Sequence, residues 1–385
     1  METPLLYRQL QDQLRQWVQP KDKRHLQGYS EAVAAILQST SACLSHWLPF
    51  LSHRDCGARA HMERLSYLVH NEHISAARFY QPLLHQVLSA FAGEALTLTL
   101  DTSILWDRFC LIEVCLAWGG RSITLAQTVI EHGSAAVGFE TYRRVLEIAQ
   151  TVLPPRVHVT LLADRGFEHG KLIRWLQLQQ WDWAIRAKSD LRVSLPSGRQ
   201  LAVHALLPPS EAVYLFKNVT ILADIDCHLA TANPASAGEP WAVLSSQPPS
   251  LQTFALYGQR FGGIEPHFKD YKSAAFEMLR SDLRDAHALT CLVMLLDSAS
   301  VIAITLGFWV VQLKQLARLD WHQQRGLSFL QLGLRELNRL CYQRLPLPVL
   351  TGLPHCNPPP ACASKRKQDD WDRRIQFSRI TRFSG

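Results

Sequence analysis

The sequence predicts an α/β fold, on three observations. Val157, Val159, Leu161 and Ala163 alternate with His158, Thr160 and Leu162, which reads as a buried strand. Residues 168–180 then carry Leu172, Ile173, Leu176 and Leu178 at helical spacing, and residues 181–187 return to strand character. An earlier run, Leu96-Thr97-Leu98-Thr99-Leu100-Asp101, also alternates and also ends on an aspartate. The first segment is therefore a strand–turn–helix–strand unit with Asp164 at the carboxyl end of its leading strand, in the turn Asp164-Arg165-Gly166-Phe167. In open α/β sheets that end is where chemistry is placed.

Two strands that deliver Asp101 and Asp164 at the same end bring two carboxylates together. These repel unless a cation sits between them, and oxygen ligands of this kind suit Mg²⁺ or Mn²⁺. The simpler alternative is that each aspartate is a strand-end turn residue or a helix N-cap.

A chain of 385 residues is long enough for two or three domains and a sizeable core. Its 47% hydrophobic and 19% charged residues are ordinary globular values. The net charge of +7 is compatible with a polyanionic partner. Nine cysteines are scattered without a Cys-x-x-Cys pair, which argues against a zinc ribbon and for reduced thiols in a cytoplasm. The opening Met1-Glu2-Thr3-Pro4 does not read as a signal peptide. Residues 288–313 are apolar over a length that could span a bilayer, but Asp297-Ser298-Ala299-Ser300 and Gly307 interrupt them. Two buried helices are expected there, and no membrane partner.

In chain order, residues 1–92 are expected to be helical, with Ser30 capping a helix over residues 31–48. This region carries Arg15, Lys21, Lys23, Arg24, Arg54, Arg59, Arg64, Arg78 and several histidines, so it is the candidate DNA-binding domain, docking in a helix-turn-helix manner. The alternative is a helical cap with a solvated basic face. Residues 95–131 read as three consecutive strands with a Gly119-Gly120 hairpin turn, followed by a helix from Phe139 that Pro154-Pro155 ends. The order βββαβαβ is the ribonuclease H-like arrangement. Residues 93–188 and 249–318 are assigned to that catalytic core, and residues 189–248 to a β-rich insertion. Residues 319–385 comprise a last helix, a proline-rich linker and a basic tail from Ser364 that is a candidate nucleic-acid contact. A third acid, Glu265, lies in a helical stretch with Tyr257, Arg260 and Lys272, and Glu265 and Lys272 share a face.

Taken together, residues 98–102, 161–167 and 257–272 make the sequence resemble the DDE transposases of bacterial insertion sequences. The resemblance is to the branch with a Tyr-Arg-Glu-Lys signature and a β insertion before the glutamate, and it covers roughly residues 58–315. It implies that Asp101, Asp164 and Glu265 are the catalytic acids and the ligands of two Mg²⁺ or Mn²⁺ ions. It implies that Tyr257, Arg260 and Lys272 grip DNA phosphates, for which a forked donor and a point charge are suited. Trp241, the one tryptophan between residues 189 and 250, is then a candidate for stacking a flipped base. The implied partners are double-stranded terminal inverted repeats and target DNA, gripped by a homodimer that pairs two ends. The expected location is cytoplasmic, on the nucleoid when bound to DNA. Other readings are a different ribonuclease H-like nuclease and an inactive DNA-binding relic.

One departure from the family pattern bears on the site. The pattern is Tyr, two residues, Arg, three residues, Glu, six residues, Lys, but here four residues separate Arg260 from Glu265. On a straight helix, five steps of about 100° put the two roughly 140° apart. A π-bulge at Gly262-Gly263, or a helix that restarts near Pro266, is expected to return Tyr257 and Arg260 to the active-site side.

Overall fold

Alternating apolar residues build one continuous sheet in this computed structural model, which describes residues 5–18, 20–52, 55–234, 237–322, 325–354 and 381–384. Strands β1 (Ala95–Leu105), β2 (Phe109–Trp118) and β3 (Arg121–Glu131) form an antiparallel meander. The N-terminal residues before it fold into helices α1 (Leu5–Trp17), α2 (Lys23–Ser39), α3 (Leu44–Trp47), α4 (Ala58–His70) and α5 (Tyr80–Leu88). Helix α6 (Phe139–Val152) leads to β4 (His158–Ala163), which pairs parallel with β1, and α7 (Gly170–Leu178) leads to β5 (Asp182–Arg186), which pairs parallel with β4. The resulting order β3-β2-β1-β4-β5 is the ribonuclease H-like sheet.

Residues 189–248 extend the same sheet. They form β6 (Arg192–Ser194), β7 (Gln200–Ala202), β8 (Ala212–Ile221), β9 (Ile225–Ala232) and β10 (Trp241–Ser245). Strand β10 lies antiparallel against β5 and carries the order on through β9, β8, β6 and β7. Within this insertion, β8 is bulged, its register against β9 shifting between Phe216 and Val219. Strand β9 was not anticipated, because its hairpin turn uses Leu222 and Ala223 at positive φ rather than a glycine or asparagine.

Helix α8 (Leu251–Lys269) follows the extension, and a single π-helical turn at Asp270–Ala274 ends it. Helix α9 (Ala286–Gln312) corrects the expectation of two helices: it is one continuous helix, long and apolar enough to cross a membrane, with 94% of its most apolar stretch buried inside the protein. Asp297 and Ser298 do not break it because each has a partner inside the protein. Ser298 Oγ donates to the Met294 carbonyl and accepts from the Tyr29 hydroxyl of α2, and Asp297 accepts from the Tyr271 hydroxyl. Helix α10 (Phe329–Tyr342) crosses α9 at two glycines. A Cβ at Gly307 would collide with the Phe329 carbonyl, and one at Gly333 with the Ala303 carbonyl.

The N-terminal helices pack into the same hydrophobic core as the sheet, with Tyr29, Val33, Ile36 and Leu37 of α2 fully buried. The cap of α2 is Asp22, whose side chain accepts from the Arg24 amide at 2.8 Å; Ser30 is instead buried inside the helix. A last strand, β11 (Thr381–Ser384), pairs parallel with β8, while the basic tail over residues 364–380 lies outside the described residues.

Candidate active site

The register of β1 and β4 brings the first two acids together. Leu100 pairs with Ala163, the last residue of β4, so Asp101 and Asp164 occupy the next position on neighbouring parallel strands. Such strands lie about 4.8 Å apart. Asp164 does stand at a strand end, whereas Asp101 does not: β1 runs on to Leu105 because β2 continues to pair with it as far as Phe109. The tip of that hairpin holds Trp106 and Asp107 at positive φ. A hydrogen bond of 3.0 Å from Trp106 Nε1 to the Leu279 carbonyl, and the Arg284 guanidinium 4.1 Å above its ring, hold that conformation in place.

Asp101 is nearly buried, and burial raises its carboxyl to about 6. The Arg260 guanidinium opposes that rise, and the charges of Asp164 and Glu265 add to it. Asp101 therefore feels both other acids. Arg260 Nη2 donates to Asp101 Oδ2 at 2.6 Å, and the Thr102 amide donates to Oδ1 at 2.9 Å. Asp164 Oδ1 accepts from the Gly166 amide at 2.7 Å, capping the short turn Arg165–Phe167. The N-cap role is thus real, but it uses one oxygen and leaves the other uncommitted among the described residues. Glu265 lies on α8 with its side chain exposed.

The expected irregularity between Tyr257 and Glu265 is not there. Helix α8 is regular from Leu251 through Lys269, passing Gly262, Gly263 and Pro266. Gly263 fits because the helix runs close to β3, where a Cβ would come within 2.9 Å of Ser122 Oγ. The extra residue therefore keeps its angular consequence, with Arg260 buried against Asp101 and Glu265 exposed. The irregular turn lies further on, where the Ala275 amide donates to the Asp270 carbonyl five residues back. It begins after Glu265 and contains Lys272. Lys272 Nζ reaches the Ile104 carbonyl of β1 at 3.0 Å, and burial lowers its pKa.

Tyr257 is buried, its hydroxyl has no hydrogen-bond partner among the described residues, and burial pushes it up to about 12. Trp241, at the start of β10, is half-buried beneath α8, with its ring 5.9 Å from Tyr257 and 5.5 Å from Phe261. That packing makes Trp241 a brace for α8 in this conformation rather than an open stacking platform.

Sequence reasoning missed the polar cluster behind α8. His267 Nε2 lies 3.3 Å from Glu113 Oε2, and Cys115 completes a buried group of three donors within 4.8 Å of one another. A lone glutamate in the apolar run of β2 was the signal available. An ion pair accounts for this group: Glu113 raises the pKa of His267 against the opposing effect of burial, and burial keeps the Cys115 thiol well above its usual range. Glu113 stands directly opposite Asp101 in the β1–β2 register but is fully buried and engaged by His267, and hard divalent ions favour the all-oxygen set of Asp101, Asp164 and Glu265 over a group that includes a thiol and an imidazole.

A family model described as the transposase DDE domain matches residues 131–302, a span that contains Asp164 and Glu265. No curated protein matches the chain. Among solved structures it is similar to the piggyBac transposase in a synaptic complex with hairpin DNA. The TM-score is 0.45 and the identity 11%, over 96% of this chain and 84% of that one.

Proposed function

We propose that the chain, in which the transposase DDE domain model matches residues 131–302, is a DDE transposase that acts on the terminal inverted repeats of a bacterial insertion sequence, cutting and joining DNA strands with Asp101, Asp164 and Glu265 as its catalytic acids. The observation that carries this reading is the register that sets Asp101 beside Asp164, with the charge of Glu265 felt at Asp101.

DDE transposases depend on divalent metal, and the donor set here fits Mg²⁺ or Mn²⁺. All three groups are carboxylates, Asp101 is ionised against burial, and both neighbouring charges oppose it, so a cation among them relieves a repulsion already present. Two such ions supply activation of a water or DNA 3′-hydroxyl and charge stabilisation at the leaving oxygen. In the DNA-free chain Arg260 serves as the counter-charge of Asp101. Lys272, held beside β1, is the point charge for a phosphate near the cut. Arg260 and Tyr257 are too buried in this conformation to meet a phosphate without rearrangement, so we assign them to supporting Asp101 and α8. Two copies pairing two repeat ends complete the proposed assembly.

The test is incubation of a supercoiled plasmid carrying the flanking inverted repeats with Mg²⁺, Mn²⁺ or EDTA. Metal-dependent cuts at the repeat ends with joined products support the reading. Cutting without end preference or joining points to a general nuclease, and binding without cutting to an inactive relic.

A further inference from the structure

A cavity of about 570 Å³ opens where the end of α1 meets α5, away from the carboxylates. It is lined by Trp17, Ala77, Arg78, Pro82, His85 and Gln86. None of these residues is acidic, yet one is an arginine whose Nη1 is buried and has no hydrogen-bond partner among the described residues. Arg78 takes part in no ion pair among the described residues, so its charge is half removed from water with nothing opposite it. Buried guanidinium groups are normally paired.

The surroundings hold this arginine in place. Its amide donates to the Ser75 carbonyl, and the next two residues, Phe79 and Tyr80, are core residues. On the facing side, Leu10 and Leu14 are fully buried and anchor the helix that presents Trp17. The nearby acid, Asp22, is engaged by Arg24 at 2.7 Å. The His25 and His73 rings lie 5.4 Å apart, and after burial the charge of Arg78 is among the causes that lower the pKa of His25. Lys21, in the turn that follows α1, and Lys23, the first residue of α2, are exposed.

We propose that this cavity receives one phosphodiester and its deoxyribose from the backbone of bound DNA, with Arg78 holding the phosphate oxygens and Trp17 covering the sugar. The guanidinium fork matches two phosphate oxygens, an indole face offers a flat apolar wall, and Gln86 supplies a neutral donor. A pocket of this size suits a nucleotide unit rather than a lone ion. This rests on the transposase reading and adds to it a contact by the N-terminal helices that positions DNA without reading its bases.

The experiment is an anisotropy titration of full-length protein with a labelled duplex bearing one inverted repeat, between about 50 and 200 mM NaCl. Arg78→Gln is expected to weaken binding about tenfold at the low-salt end and to reduce the slope of log K against log salt by about one. Arg78→Lys, which keeps the charge but loses the fork, is expected to restore the slope and only part of the affinity. Trp17→Ala is expected to weaken binding with the slope unchanged. Thermal unfolding of each variant separates lost contact from lost fold. Wild-type affinity and slope in folded Arg78→Gln would overturn the proposal. So would an Arg78-dependent rise in melting temperature with millimolar inorganic phosphate or thymidine monophosphate while duplex binding stays intact, which would assign the cavity to a free anion. Cutting at the repeat ends by the wild-type protein is read separately, so failure here leaves the active-site reading standing.

Discussion

Arg260 closes on Asp101, its Nη2 donating to Oδ2 at 2.6 Å, with both side chains almost wholly inside the protein. Removing one partner of such a pair leaves an uncompensated buried charge. Arg260→Gln should therefore destabilise the metal-free protein by about 3 kcal/mol. The loss should be larger at pH 7.5 than at pH 5, because a carboxyl already raised to about 6 can escape by protonation at the lower pH. Adding Mn²⁺ should raise the melting temperature more in the variant than in the wild type, since the ion then replaces the missing guanidinium. Equal shifts would mean that Asp101 does not meet the ion.

Asp297 sets a second pH dependence. Burial, with the charge of Glu113 next, raises its carboxyl from 3.8 to about 7. A carboxyl raised on folding favours the folded state below its unfolded value, and that contribution is lost as pH rises through the folded value. Asp297→Asn abolishes this titration while keeping an acceptor for the Tyr271 hydroxyl. The melting temperature of the variant relative to wild type should thus be more favourable at pH 8 than at pH 4.5. A difference independent of pH would contradict the assignment.

The α9–α10 crossing makes a steric prediction. Gly307→Ala or Gly333→Ala puts a methyl group into the backbone of the opposite helix. Each should lower stability by about 3 kcal/mol, the upper part of the range for overpacked cores. The denaturant midpoint should fall while the slope of the transition stays the same.

Lys272 should act through charge. Lys272→Gln should weaken binding of a repeat-end duplex several-fold and reduce its salt slope by about one, while Lys272→Arg retains most of both. An unchanged salt slope would place the Lys272 ammonium away from DNA and leave its contact with the Ile104 carbonyl as a structural one.

The aspartate pair was legible in the sequence because two alternating runs each reach an acid, and the pairing of Leu100 with Ala163 sets those acids side by side. The continuation of β1 past Asp101 was not, because its hairpin tip uses Trp106 and Asp107 at positive φ, a conformation that ordinarily signals itself through glycine or asparagine. The 27-residue α9 was read as two helices because Asp297 and Ser298 look like breakers until Tyr271 and Tyr29, distant in sequence, are seen to satisfy them. The extra residue between Arg260 and Glu265 is plain in the sequence, but the irregularity expected to absorb it at Gly262-Gly263 or Pro266 is absent. The helix stays regular there, and the wide turn comes at Asp270–Ala274, where Asp270 also meets Arg121 of β3 at 3.2 Å. Long-range polar contacts decided each of these cases, and local pattern does not encode them.

The central claim is that Asp164 works with Asp101 and Glu265 to hold the catalytic ions. Its most direct test is single-turnover cleavage of a labelled repeat-end duplex by Asp164→Asn at saturating protein, with Mg²⁺ present. The amide keeps an oxygen to cap the Gly166 amide, so the turn should fold and DNA binding should persist. The account predicts a cleavage rate at least about a thousandfold below wild type, equivalent to roughly 4 kcal/mol of lost transition-state stabilisation. A near-wild-type rate with intact binding would contradict it.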